Sequence, residues 1–167
     1  MRSKIFFMVA LFATAFAQSN FAQDNTKKSQ LSTLLPLYYD IKNALVKDDA
    51  ATASVKAGLF SKAVKDTDMK TLSESEMNTF MSVQNKLSSA ADKISSSKDI
   101  QKQRDNFAAL SLDFYELAKA VKLSDDPVYQ AYCPMKKSYW LSSDAAIKNP
   151  YYGKAMLTCG SITDTLK

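Results

Sequence analysis

Histidine is absent from this chain of 167 residues, and that absence excludes more chemistry than any motif brings in. Blue-copper centres, haem with a histidine axial ligand, histidine-bearing zinc sites and Ser-His or Cys-His nucleophilic catalysis all lose their usual residue. Glycine occurs only three times, too rarely for a glycine-rich phosphate loop. The two cysteines, Cys133 and Cys159, lie too far apart in sequence for the Cys-x-x-Cys centre of a thiol-exchange enzyme. With no catalytic constellation left, the chain is not expected to be an enzyme. Beyond the first segment there is no run approaching the about 20 apolar residues that cross a bilayer, so no membrane insertion of the mature chain is expected. Lysines alternate with Asp, Glu and Ser instead of clustering, which describes solvated helix faces and not a nucleic-acid stripe.

What is present begins with an export signal. Arg2 and Lys4 form a basic n-region, Ile5 to Ala17 is apolar, and Ala15-Phe16-Ala17 has the form of a cleavage site, with Ala22 a second candidate. Residues 1–22 therefore read as a signal peptide and 23–30 as a polar, disordered leader. The mature protein is expected in the periplasm or secreted, where disulfides persist. Removing Arg2 and Lys4 leaves 20 basic against 17 acidic residues, a net charge of +3. The remaining 145 residues suffice for one hydrophobic core.

From Leu31 the apolar residues take helical spacing. Leu31, Leu34, Tyr38, Ile41 and Leu45 recur at intervals of three and four, with Pro36 confined to the first turn and Ser32 or Thr33 as the N-cap. Asp48-Asp49 ends this helix and caps a second that carries Val55, Leu59, Phe60 and Ala63. Ser73 and Glu76 have capping-box spacing ahead of Met77, Phe80, Gln84, Leu87, Ala91 and Ile94. In the fourth helix Ile100, Phe107, Phe114 and Val121 are seven apart, with Leu110 and Leu117 between them. Met77 and Met81, one turn apart, read as core. The expectation is an all-α fold: an up-down-up-down four-helix bundle over residues 31–167 with a short irregular or β C-terminal flap at 127–160.

The flap, PVYQAYCPMKKSYWLSSDAAIKNPYYGKAMLTCG, holds both cysteines, the only tryptophan, three of the four prolines and five of the eight tyrosines. Cys133 and Met135 flank Pro134, and Met156 lies three residues before Cys159. Thiolate and thioether are soft ligands that select Cu(I). Cys133, Met135, Met156 and Cys159 are thus candidate metal ligands. The alternative is a Cys133–Cys159 disulfide, which in the chain-entropy model adds about 3–4 kcal/mol. Composition leaves both open.

Cys133-Pro134-Met135, Tyr139-Trp140-Leu141-Ser142, Ile147, Asn149-Pro150-Tyr151-Tyr152-Gly153, Met156-Leu157 and Cys159-Gly160 together resemble the C-terminal signature of a bacterial domain-of-unknown-function family. That family occurs as small secreted proteins and is also appended to periplasmic adaptor subunits of heavy-metal efflux systems. Tyr38, Lys42, Ala44-Leu45 and Asp48-Asp49 resemble its first helix. The resemblance implies a non-enzymatic soft-metal binding protein, Cu(I) being the favoured ion, in copper or heavy-metal tolerance. It also implies a metal-efflux adaptor or other envelope protein as partner. The alternative function is a disulfide-stapled interaction module associated with an efflux or envelope complex.

Overall fold

The structure, a computed structural model, describes residues 29–167. The signal peptide and all but the end of the leader lie outside the described residues. Ser29 caps a 3₁₀ turn, Gln30–Thr33, by accepting from Leu31 N. The Gln30 side chain then accepts from Asp68 N and Thr71 Oγ1.

Four helices follow: α1 (Leu34–Val46), α2 (Ala50–Lys65), α3 (Glu74–Ser96) and α4 (Ile100–Ala120). Their starts are written locally. Pro36 is the third residue of α1, where its missing N–H is not needed. Asp49 accepts from Thr52 N at 2.9 Å. Ser73 and Glu76 close the reciprocal capping box, and Asp99 accepts from Gln101 N and Lys102 N. Among the described residues no helix is long and apolar enough to cross a membrane.

The fold is not the all-α up-down-up-down bundle that the periodicity suggests. The chain after α4 forms β1 (Val128–Cys133), β2 (Ser138–Ser142) and β3 (Ser161–Leu166), an antiparallel sheet in the order β2-β1-β3. Successive helices pack on one another, but α1 meets α4 much less, and β2 lies against α4 instead. The sheet thus covers helix surface that a closed four-helix bundle would have paired. Tyr38 is the junction. Its ring stacks on Phe107 and Phe114, with centroids 5.1 and 4.8 Å away, and its hydroxyl bonds Ser111 Oγ at 2.6 Å and accepts from Leu141 N of β2 at 3.0 Å.

Phe107, Leu110, Phe114, Leu117 and Val121 are buried as their heptad spacing requires. The phase of α2 differs from expectation. Ala53, Ala57, Phe60 and Val64 face the core, while Val55 and Leu59 are 63% and 47% exposed. An alanine-rich helix offers two apolar stripes of similar strength, and close approach to α3 at Gly58 selects the smaller one, since a Cβ there would lie 3.1 Å from Ser95 Oγ. Met81 is 60% exposed, so it is not core; Val83 takes the inward position.

Candidate sulfur site at the end of the sheet

Cys133 is the last residue of β1 and is fully buried. The β1–β3 ladder pairs Tyr132 with Ser161, which delivers Cys159, two residues before β3, to the same end of the sheet. Both cysteines are free thiols, so the disulfide considered from sequence is not formed. Cys159 is half-buried, and its thiol is pushed up by burial first and then by the adjoining Cys133.

Asn149, fully buried, organises this corner. Its Nδ2 donates to Cys133 Sγ at 3.2 Å and to Cys159 O at 2.7 Å. Its Oδ1 accepts from Tyr151 N at 2.8 Å. Its backbone N–H donates to Leu157 O at 2.8 Å and its carbonyl accepts from Gly153 N at 3.1 Å. Lys136 N is a second donor to Cys133 Sγ, at 3.4 Å. One side chain therefore ties the strand end, the 149–153 turn and the Cys159 backbone together.

The surroundings hold that corner rigid. Trp140 is buried on β2 and meets Tyr151 edge-on at 6.0 Å. Gly160, at φ 145°, passes beneath it: a Cβ there would lie 2.8 Å from both Trp140 Cη2 and Tyr132 O. Behind the turn, buried Arg104 of α4 donates Nε to Pro150 O at 3.0 Å and Nη2 to Leu45 O at 3.1 Å, and pairs with Asp48. The hydrogen bond from Arg104 holds the Asp48 carboxyl below its usual range. Asp48 in turn accepts from Lys154 N at 3.4 Å. Gly153, at φ 55°, is required here because a Cβ would fall 2.1 Å from Asp48 Oδ1.

Of the four sulfur residues proposed from sequence, the structure brings Cys133 and Cys159 together. Met135 lies in the turn after β1 and is 62% exposed. Met156 is half-buried in the 3₁₀ turn Gly153–Met156, and its carbonyl accepts from Cys159 N at 3.1 Å. Among the described residues no group of three or more His, Cys, Asp or Glu converges as a metal cage. In sequence Asn149 stands out only within the Asn149-Pro150-Tyr151-Tyr152-Gly153 segment, and Arg104 does not stand out at all. The Asn-Pro step was a signal for the first; for the second there was none, because a charged residue on a heptad helix reads as solvated.

No curated protein and no solved structure matched the chain. A family model described as "Protein of unknown function (DUF3347)" matches residues 34–126. The matched segment starts with α1 and stops just before β1, so it spans the helical part and leaves the sulfur corner outside. Covering more than half of the chain, the match shows that this protein belongs to the DUF3347 family of unknown function.

Proposed function

We propose that the protein is exported and binds a soft metal ion, Cu(I) foremost, without catalysing a reaction, in copper or heavy-metal tolerance. The observation that supports this is the Asn149 side chain joining Cys133 Sγ to the Cys159 backbone, with the Cys159 thiol, raised first by burial, close enough to Cys133 to be pushed up by it as well. Two thiolates with a thioether close in sequence, and no histidine, form a donor set suited to a soft cation. Cys133 and Cys159 are the principal ligands. Met156 and Met135 are neutral auxiliaries, Met135 reaching over from its exposed turn. The N–H groups of Asn149 and Lys136 would remain on the Cys133 sulfur as outer-sphere donors, which orient a ligand and tune its basicity.

The C-terminal signature belongs to this proposal too. The Cys-Pro-Met and Asn-Pro-Tyr-Tyr-Gly segments resemble those of a periplasmic family associated with heavy-metal efflux, and that resemblance implies an efflux adaptor or another envelope protein as partner. Family membership alone assigns no activity.

A second reading rests on the same apposition. Adjoining thiols in an oxidising compartment can close into a disulfide that staples an interaction module. Anaerobic Cu(I) competition against a chromogenic chelator, with a free-thiol count on protein from its native compartment with and without copper, separates the two. The metal reading expects reduced cysteines and one Cu(I) per chain. Affinity falls sharply in Cys133→Ser or Cys159→Ser, and modestly in Met135→Leu or Met156→Leu. Methionine variants that bind like the parent remove the thioethers from the site. A reduced parent that cannot compete with a moderate chelator leaves the stapled module.

A further inference from the structure

Lys42 of α1 is only 3% exposed, and a buried ammonium is ordinarily paired with a carboxylate. Among the described residues it has no such partner. Its contacts are Ser142 Oγ at 3.3 Å and the face of Tyr39, whose ring centroid is 5.8 Å away. Ser142 Oγ accepts from Lys42 and also from Asp144 N at 3.2 Å, so its own O–H is left to donate. Tyr39, one turn earlier on α1, has a buried hydroxyl with no partner among the described residues.

Two charged groups act on Lys42 besides, Lys148 and Asp144. The Asp144 carboxylate is occupied elsewhere: Oδ1 accepts from Ala146 N at 2.9 Å and Oδ2 faces Lys148 Nζ at 3.5 Å. The unmet hydrogen-bonding capacity around Lys42 is therefore chiefly that of donors, beside the Tyr39 oxygen. Lys42 retains N–H donors, Ser142 has one O–H and Tyr39 another, and none of these makes a further hydrogen bond among the described residues. Water would satisfy those donors but leave the buried ammonium without a counter-charge in contact, Asp144 acting only from a distance, and an apolar molecule would do neither.

We infer that the corner formed by Lys42, Ser142 and Tyr39 binds a small carboxylate anion. Lys42 Nζ supplies the counter-charge, and the Ser142 hydroxyl beside it orients the carboxylate oxygens, with the Tyr39 ring as the wall. The ligand must be small because Lys42 and Ser142 are both 3% exposed; its approach is past exposed Asp144 and Lys148. A monoanion fits better than phosphate because Asp144 already places negative charge at the mouth. Ser142 pairs with Tyr129 in the ladder whose other end pairs Cys133 with Ser138, so this site stands apart from the sulfur corner and does not depend on metal binding.

The test is an acetate titration of the purified, uniformly isotope-labelled protein, exchanged against chloride at constant ionic strength, with the Lys42 side chain and Ser142 amide followed by NMR. A saturable shift with acetate that chloride does not reproduce is expected. Ser142→Ala should weaken acetate about tenfold, the worth of one hydrogen bond to a charged group, and Lys42→Met should abolish the saturable response at Ser142. A response equal to that of chloride overturns the inference, as does unchanged affinity in Ser142→Ala. Should Lys42→Met not fold, the parent and Ser142→Ala titrations still decide the matter. Phosphate binding tenfold tighter than acetate would overturn the carboxylate assignment.

Discussion

Asn149→Ala isolates the residue on which the sulfur corner depends. The substitution removes the donor to Cys133 Sγ and Cys159 O and the acceptor for Tyr151 N. It does so where the side chain is 0% exposed, so water cannot readily replace those partners. Two backbone groups are orphaned at about 1–3 kcal/mol each, while the weak bond to sulfur adds little, giving an expected cost of about 2–6 kcal/mol. Urea unfolding at neutral pH under reducing conditions measures it, and the slope should stay that of the parent. Because the same bonds position Cys133, its alkylation by a thiol reagent should accelerate in the variant. Asn149→Asp sharpens the argument. A carboxylate there faces a sulfur and a carbonyl oxygen, so its folded pKa rises above the ordinary value of about 4. A raised acid pKa makes the native state bind more protons than the unfolded one, so this variant must lose stability, relative to the parent, as pH rises through that window. A cost for Asn149→Ala below about 1 kcal/mol, or an Asn149→Asp variant with no such pH dependence, would refute the role assigned to Asn149.

Two further outcomes follow from the core and from Lys42. Phe114 is fully buried between Tyr38, stacked at 4.8 Å, and Phe60, edge-on at 5.6 Å; Phe114→Ala should cost about 3–5 kcal/mol by chemical denaturation, and a cost below about 1 kcal/mol would contradict the packing. Burial lowers the Lys42 pKa from 10.5 to about 8, with Lys148 adding to the effect and Asp144 opposing it. The unfolded state then binds more protons than the native one between those values. Stability of the parent should therefore rise with pH from about 8 to 10.5 by up to about 3 kcal/mol relative to Lys42→Met, and parallel pH profiles for the two proteins would refute this.

The helices were legible because their signals are local. Pro36 near a helix start, Asp49 as a cap, Ser73 with Glu76, and the seven-residue recurrence from Phe107 to Val121 each act within one or two turns of chain, and each is found where its chemistry demands. The phase of α2 was less legible because alanine suits either face, and only the close approach at Gly58 decides between them.

Composition by itself determined the soft-sulfur character of the C-terminal segment and the exclusion of histidine-based chemistry, since no fold can supply an absent side chain. The tertiary structure alone decided that residues 161–166 form a strand. Ser-Ile-Thr-Asp-Thr-Leu is a polar, half-exposed edge segment whose conformation comes from pairing with β1, 29 to 38 positions earlier in the chain. It likewise decided that Asn149 meets Cys133 and that Arg104 of α4 meets Asp48 and Pro150. Those contacts satisfy buried polar groups contributed by distant elements. A polar residue's partner is set by what the fold brings within hydrogen-bond reach, and nothing in the adjacent sequence encodes it.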